Sequence, residues 1–476
     1  TIDGLNQRFR LPNNGDIRQD VDVRMTPEEA QSTSVLSEVD VSSIVEAIMI
    51  DEFSYSQDLV FSEAVTLLKT SYQNQTYLNW PTNYSRCKSC EFKIDAPTKQ
   101  VGYKSGFEYC FSKQHHWTES DFQRPNIFEV WNFRGQRLLE QNRLFLDELN
   151  QEDFKVIDEP DAMSSRERRW VQVQKTLNPQ SEPHVEREGL SRALESWVYP
   201  LHFIDFETSA VALPFNAGRH PYEQVAFQFS HHIYHADGTI QHASEYINTT
   251  PGKFPNFDFV SALKKTLEKD EGTIFRFATH ENSILNSIKD QLEASDYSDK
   301  QDLIDFIKTI TTPRKDDPNP WVASRPMVDL RVVILDYYYN PLTKGSNSIK
   351  AVLPAVLNSC DYLKHKYANP ISKINMTSFN FEGHHTWIQF EDQTVANPYS
   401  LLPPIFIGQG QEQLDQFISG LDKISDGGAA LTAYSKLQFV DMSEDERESI
   451  KKSLLKYCEL DTLAMVMIYE HLKTLI

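Results

Sequence analysis

The chain has 476 residues, of which 40% are hydrophobic and 24% charged, and this composition excludes a fibrous or largely disordered protein. The formal net charge of −21 argues against a broad phosphate-binding surface, although a site that grips only the end of a strand needs few cations. The five cysteines and the lack of an apolar run of about 18 residues favour a cytoplasmic protein with reduced thiols and no membrane span.

The predicted elements divide the chain into three parts. An N-terminal module is predicted over residues 1–120, with helical spacing from Val39 to Lys69, and a mainly helical connector over residues 121–197. From 198 onwards the pattern becomes strand-like, with three strands that we expect to pair antiparallel and a fourth that leads into a helix. A C-terminal helix is predicted from about Glu444 to Leu475, and a surface insertion between Asn369 and Gln411.

The strongest chemical signal is a pair of acids on the first of these strands. Asp205 and Glu207 are separated by one residue, so the two-residue period of a strand places both carboxylates on one face. Two such acids repel each other in a buried site unless a cation neutralises them, and Mg²⁺ or Mn²⁺ suits carboxylate oxygens. The alternative is a strand end in water, which is the more common meaning of this motif alone.

A further acid lies in the predicted C-terminal helix. Tyr457 and Asp461 are four residues apart and therefore share one helix face about a turn apart. This pairing fits a metal ligand with a neighbouring hydroxyl that can orient water. For Asp461 taken alone, an ordinary surface acid is the alternative.

Three motifs in this order resemble the DEDD superfamily of 3′–5′ exonucleases, in its tyrosine-containing branch. They are Asp205-Phe206-Glu207-Thr208, an acid that opens a helix after the fourth strand, and Tyr457 four residues before Asp461. The resemblance covers residues 198–476 and implies an α/β, RNase H-like fold of order β-β-β-α-β-α, a mixed sheet flanked by helices, and two Mg²⁺ or Mn²⁺ ions. Within the superfamily the chain resembles most closely some uncharacterised bacterial proteins with a Cys-containing N-terminal region.

The second motif departs from the superfamily, which usually has an aspartate there. The equivalent segment is Ala278-Thr279-His280-Glu281-Asn282, and the ligand role falls to Glu281 because it precedes Leu285 by the expected four residues. His280 is a candidate base or a structural residue. Asp329 is a candidate fifth acid near the site, and a strand-end or helix-cap role is its alternative.

The resemblance also assigns roles to the matching residues. It implies that Asp205 bridges the two ions, that Glu207, Glu281 and Asp461 complete their coordination, and that Tyr457 positions the attacking water.

A basic turn between the second and third motifs is a candidate substrate contact. It reads Lys344-Gly345-Ser346-Asn347-Ser348-Ile349-Lys350, and an amide-rich turn at a helix start suits a phosphate. Lys344, Ser346 and Lys350, together with Thr208, are therefore predicted to bind substrate. A common glycine turn with two lysines is the alternative.

Three cysteines in the N-terminal module are candidate metal ligands. Cys87 and Cys90 have the spacing that lets two thiolates reach one ion, and Cys110 and His115 follow in the same region, so zinc is the first expectation. The cysteines also resemble the C-terminal tail of PD-(D/E)XK iron–sulfur nucleases, which implies a cluster. The module would then be the remnant of a larger nuclease domain, with a part upstream of the first residue. Unrelated reduced thiols are the alternative, and Cys360 and Cys458 are predicted to be buried apolar residues.

The sequence thus predicts a metal-dependent 3′–5′ exonuclease that hydrolyses phosphodiester bonds of DNA or RNA, with a single-stranded end as its substrate. One alternative is a catalytically weak RNase H-like module that binds nucleic acid or protein, because Glu281 departs from the usual acid and the chain is acidic. A metal-dependent phosphatase or nucleotide hydrolase on the same acids is the other.

Overall fold

The computed structural model describes residues 9–10, 22–23, 40–56, 59–76, 78, 82–157, 161–178, 182–216, 218–392, 394–402 and 428–476. The chain divides into two compact units, a smaller one of Met25–Leu149 and a larger one of Thr1–Arg24 together with Asn150–Ile476. The boundary after Leu149 falls inside the connector that the sequence predicted over residues 121–197. Among the described residues, no helix is both long and apolar enough to cross a lipid bilayer. Two short strands, β1 (Phe9–Arg10) and β2 (Asp22–Val23), pair antiparallel.

The smaller unit, Met25–Leu149, is built from short helices. They are α1 (Ser42–Met49), α2 (Phe61–Asn74), α3 (Tyr84–Lys88), α4 (Ala96–Gln100), α5 (Gly106–Gln114) and α6 (Gln136–Glu140), with 3₁₀ turns at Asp121–Gln123, Ile127–Glu129 and Leu146–Glu148 and the strand pair β3 (Ser54–Ser56) and β4 (Leu59–Val60). Asn83, Asp95 and Ser105 cap three of the helices with side-chain oxygens. An aromatic core holds the unit together, and the Phe107 and Phe111 rings stack at 4.3 Å.

A six-stranded mixed sheet forms the centre of the larger unit. Besides β1 and β2, the strands of this unit are β5 (His184–Val185), β6 (Leu201–Ser209), β7 (Val225–Tyr234), β8 (Ile240–Ile247), β9 (Ile274–Arg276), β10 (Val328–Asp329), β11 (Tyr338–Tyr339), β12 (Met376–Thr377), β13 (Phe390–Glu391) and β14 (Thr394–Val395). The sheet order is β10-β9-β6-β7-β8-β12, in which β6, β7 and β8 pair antiparallel while β9 and β10 run parallel to β6. The predicted antiparallel pairing of the first three strands is confirmed.

Helices cover both faces of this sheet. The helices of this unit are α7 (Gln151–Phe154), α8 (Ser165–Leu177), α9 (Arg187–Glu195), α10 (Asn256–Leu267), α11 (His280–Glu293), α12 (Lys300–Ile310), α13 (Leu330–Tyr337), α14 (Ile349–Ser359), α15 (Asp361–Tyr367), α16 (Gly428–Phe439) and α17 (Glu444–Thr474), with 3₁₀ turns at Pro341–Thr343, Ile371–Lys373 and Pro398–Leu401. The mixed α/β architecture that the sequence predicted is therefore confirmed at this level.

The two faces of β6 belong to different cores because successive side chains of a strand point to opposite sides. Ile204 and Phe206 pack with α10, α11 and α12, whereas Phe203 packs with α17. Helix α17 begins with a capping box between Ser443 and Glu446, and its second half is almost completely buried. The acids of β6 accordingly face the α17 side.

The segment predicted as a surface insertion contributes to the core where it is described. Strand β12 pairs with β8, and Trp387 and Ile388 are buried in the same cluster as α17. Residues 403–411 of that prediction lie outside the described residues. The apolar side chains of this segment gave no regular period, and for that reason their burial was not predicted.

Candidate metal centre

Strand β6 presents two acids to the same side. Asp205 is partly buried and Glu207 is 6% exposed, and both lie opposite β7 in the antiparallel register, at Ser230 and Gln228. The neighbouring Ile204 and Phe206 occupy the other core. The alternation predicted from the sequence therefore places both carboxylates on one face of the sheet.

Helix α11 supplies the third acid from its first turn. Glu281 is 1% exposed, and one of its carboxylate oxygens, Oε2, accepts no hydrogen bond from the described residues. The helix follows β9 through a turn in which Ala278 has a φ of +71°, a conformation that costs free energy for a residue with a Cβ. That turn brings Glu281 back toward the acids of β6.

Helix α17 supplies the fourth acid and a thiol. Asp461 is 6% exposed, and Cys458 lies three residues earlier on the same helix face. The Cys458 Sγ atom is 3.7 Å from Asp205 Oδ2 and 3.6 Å from the Asp205 carbonyl oxygen. One carboxylate oxygen each of Asp205 and Glu207 and the Sγ atom of Cys458 all lie within 4.8 Å of one another.

The four carboxylates act on one another electrostatically. Burial raises the pKa of Asp205 well above its ordinary value, and the charges of Asp461, Glu281 and Glu207 raise it further. Burial, and then Asp461, raise the pKa of Glu207 in the same way, whereas the ammonium group of Lys350 lowers it. Four acids in one buried place can all be ionised only when a cation neutralises them.

The thiol of Cys458 is part of this cluster, and the sequence analysis missed that role. Burial, followed by the charges of Asp205, Glu207 and Asp461, raises the pKa of Cys458 well above its ordinary value, so the thiol keeps its proton. A protonated thiol is a weak donor rather than a metal ligand. The spacing of three residues from Asp461 was the available signal, and it was interpreted only as apolar packing.

Two tyrosines and a lysine lie next to the acids. The Lys350 Nζ atom is 5.2 Å from the centre of the Tyr457 ring and 5.7 Å from that of Tyr399. The Tyr399 hydroxyl donates a hydrogen bond to Asp461 Oδ1 at 2.5 Å. Burial raises the pKa of Tyr399 well above its ordinary value, and the charge of Asp461 adds to the effect. The sequence predicted Tyr457 and Lys350 for the site, but it gave no signal for Tyr399.

Thr208 and His280 contact each other at the edge of the cluster. The Thr208 Oγ1 atom and the His280 Nε2 atom are 3.1 Å apart, which ties the end of β6 to the first residue of α11. Burial lowers the pKa of His280 and favours the neutral ring. This contact fits a positioning role between the strand and the helix that carry the acids.

Asp329 has the structural role that was the alternative to a fifth metal ligand. Its Oδ1 atom accepts hydrogen bonds from the backbone N–H groups of Ala278, Arg331 and Val332 at 3.0, 3.0 and 3.4 Å. Its Oδ2 atom forms an ion pair with Arg276 Nη1 at 3.0 Å. Asp329 therefore caps α13 and fixes the turn before Glu281.

The basic turn is anchored to α8. Gly345 has a φ of +82°, and a Cβ at this position would lie 2.2 Å from Gln172 Nε2. The buried Arg168 donates to Asn347 Oδ1 at 2.6 Å. The contacts of Lys344 and Ser346 lie within the turn, where Lys344 N donates to the Pro341 carbonyl and the Ser346 hydroxyl accepts from Ser348 N. Of the three substrate residues predicted in this turn, the structure brings Lys350 to the acids.

The predicted metal ligands of the N-terminal module, Cys87, Cys90, Cys110 and His115, lie farther from one another than the ligand atoms of Asp205, Glu207 and Cys458 do. Burial raises the pKa of Cys87, and smaller contributions come from Cys90 and Cys110, so the three thiols are near enough to interact. The two ring nitrogens of His115 face Asn142 Oδ1 and Thr82 Oγ1 at 2.9 and 3.2 Å. Within the described residues, only the group of Asp205, Glu207 and Cys458 has its ligand atoms within 4.8 Å of one another.

The fold and the site together define a mixed α/β protein in which a cluster of carboxylates lies between the central sheet and its helices. Residues 202–348 match the family described as Domain of unknown function (DUF2779). The matched segment contains Asp205, Glu207 and Glu281 and ends before Lys350 and Asp461. No curated protein and no solved structure matches the chain.

Proposed function

We propose that the chain is a metal-dependent nuclease, and in particular a 3′–5′ exonuclease of the DEDD type with an RNase H-like fold. The observation that carries this proposal is that the partly buried Asp205 and the buried Glu207, Glu281 and Asp461 form one electrostatic cluster. The order of elements supports it, since the antiparallel strands β6, β7 and β8, the helix α10, the parallel strand β9 and later helices that end with α17 follow the order β-β-β-α-β-α. Strands β10 and β12 extend the sheet at its two edges.

The side chains of the cluster fit divalent cations. A buried carboxylate oxygen without a donor, such as Glu281 Oε2, is costly unless a cation or a water molecule binds it. Asp205, Glu207, Glu281 and Asp461 would hold the ions through carboxylate oxygens, which Mg²⁺ and Mn²⁺ prefer. When two such ions are bound, they lower the pKa of water and stabilise the charge of an in-line phosphoryl transition state.

The other residues of the site supply binding and orientation. Lys350 brings a positive charge to the carboxylates and is placed to attract a phosphate group. The Tyr457 hydroxyl would orient the attacking water, and the contact between Thr208 and His280 fixes the strand and helix that carry the acids. A strongly acidic chain with a few local cations suits an enzyme that holds only the end of a strand.

The test is the digestion of short single-stranded DNA and RNA, labelled at the 5′ end, with and without Mn²⁺. We expect Mn²⁺-dependent shortening from the 3′ end by the wild type. Asp205→Asn should reduce the rate by more than about 100-fold, because even the loss of a residue that only hydrogen-bonds to a metal ligand costs up to about 100-fold. Asp302→Asn, an exposed aspartate on α12, is the matched control and should keep the wild-type rate.

The possible outcomes separate the alternatives. Tight binding of the oligonucleotide without cleavage would favour a binding module over an enzyme. Release of phosphate from mononucleotides with intact oligonucleotides would favour a phosphatase. Cleavage that survives Asp205→Asn would show that the carboxylate cluster is not the active site.

A further inference from the structure

A second tyrosine reaches the fourth acid from outside the three motifs. Tyr399 lies in the 3₁₀ turn Pro398–Leu401, and its hydroxyl donates to Asp461 Oδ1. Its ring centre is 6.1 Å from that of Tyr457, and Lys350 Nζ lies near both rings. Tyr399 thus contacts Asp461 and lies next to both Tyr457 and Lys350.

The segment that carries Tyr399 is fixed to the helix that carries Lys350. Asn358 of α14 accepts a hydrogen bond from Val395 N at 2.9 Å and donates to Val395 O at 3.3 Å. Asn397 then caps the 3₁₀ turn by accepting from Tyr399 N at 3.2 Å. The positions of the phenol and of the ammonium group are therefore both set by α14.

We propose that Tyr399 is a positioning residue for Asp461, and this inference rests on the proposed function. A phenol that donates to one carboxylate oxygen restricts the rotation of the carboxylate and so fixes the direction in which its oxygens point. Hydrogen-bond partners that orient a metal ligand in this way raise metal affinity or activity about 10- to 100-fold. Tyr399 thereby orients Asp461, the acid of the cluster that α17 supplies.

The experiment compares Tyr399→Phe with Tyr367→Phe in the full chain. Tyr367 is the matched control because its hydroxyl donates to Glu470 Oε2 at 2.8 Å, a buried carboxylate of the same helix α17 that lies outside the cluster. Mn²⁺ affinity is measured by titration calorimetry, and kcat and KM by oligonucleotide digestion. We expect Tyr399→Phe to weaken Mn²⁺ binding about 10- to 100-fold and to lower kcat with little change in KM. Tyr367→Phe should lower only the melting temperature.

A double-mutant cycle distinguishes positioning from a structural role. If Tyr399 acts through Asp461, Tyr399→Phe has almost no further effect on Mn²⁺ affinity in a chain that already carries Asp461→Asn. An equal loss in both backgrounds, or wild-type affinity in Tyr399→Phe, would overturn the inference while the nuclease proposal stands. If the wild type itself neither binds Mn²⁺ nor cleaves, the proposed function fails first.

A folding defect does not leave the inference untested. Circular dichroism shows whether Tyr399→Phe retains the wild-type helical signal. If it does not, Asn397→Ala replaces it, because this change keeps the Tyr399 hydroxyl but removes the cap that fixes the 3₁₀ turn and the position of the phenol. Weaker Mn²⁺ binding by Asn397→Ala supports the inference, and unchanged binding contradicts it.

Discussion

Replacing Glu281 by glutamine tests the carboxylate cluster through the stability of the folded chain. Burial raises the pKa of Glu281 to about 8, with Asp329 and Asp461 adding to the rise and Arg276 opposing it. In the unfolded chain the pKa returns to its ordinary value of 4.5. The folded state therefore keeps a proton that the unfolded state releases between these two pH values.

The sign and size of the effect follow from that difference. Below pH 4.5, Glu281 is protonated in both states and adds no pH dependence. As the pH rises to 8, each pH unit lowers the free energy of unfolding by about 1.4 kcal/mol, so about 5 kcal/mol is lost. The stability of Glu281→Gln does not fall with pH in this way, because glutamine does not ionise. Its buried amide lowers the free energy of unfolding by about 1–3 kcal/mol at every pH if the amide N–H groups lack an acceptor.

We therefore expect a crossover in stability when divalent ions are chelated. Glu281→Gln should be less stable than the wild type near pH 5 and more stable by about 2–4 kcal/mol at pH 8 and above. Mn²⁺ at about 100 times its Kd should stabilise the wild type by about 2.7 kcal/mol at pH 8, and the variant much less. The gain from Mn²⁺ arises because the bound cation takes over the neutralising role of the proton.

Urea unfolding followed by circular dichroism measures these free energies across the pH range, in EDTA and then in Mn²⁺. Glu293→Gln is the matched control, because Glu293 lies on the same helix with a half-exposed side chain that pairs with Lys289. It should differ from the wild type by no more than about 0.5 kcal/mol at every pH. A stability difference between the wild type and Glu281→Gln that is constant with pH would refute the reasoning.

Two further predictions concern neighbours of the acids. Lys350→Met should raise KM for the oligonucleotide and lower the slope of log KM against log salt concentration by about 0.7. This is the value expected for the loss of one phosphate contact on a single strand, and an unchanged slope contradicts the prediction. Asp329→Ala should lower the free energy of unfolding by about 3–5 kcal/mol in urea, because it removes the ion-pair partner of Arg276, whose side chain is only 12% exposed, and frees the Ala278 turn. A loss below about 1 kcal/mol contradicts it.

The acids that could be predicted from the sequence are those whose geometry is local. The alternation of a strand places Asp205 and Glu207 on one face, and the helical period places Tyr457 beside Asp461, whatever the rest of the chain does. Glu281 was assigned by resemblance alone. Its burial depends on a turn held by Asp329, which is a contact between residues about fifty positions apart and leaves no local pattern.

Tyr399, which the sequence analysis missed, occupies a place that no sequence period marks. Tyr399 reaches the site from a 3₁₀ turn whose position depends on the pairing of Asn358 with Val395. The cysteine spacing in the N-terminal module was visible, but Cys87 and Cys110 lie on separate short helices, α3 and α5. The distance between their thiols is set by how those helices pack, which spacing does not determine.

The orientation of α17 depends on polar contacts on its far side as well as on the acids. On an α-helix, residues two apart point in nearly opposite directions, so Glu459 faces away from the site that Asp461 faces. Glu459 Oε2 is 3.2 Å from His242 Nδ1 and accepts from Asn380, while the Thr462 hydroxyl meets β7. Apolar burial has no direction, whereas hydrogen bonds do. The buried polar network on β7 and β8 therefore fixes the rotation of α17 that places Asp461 among the other carboxylates.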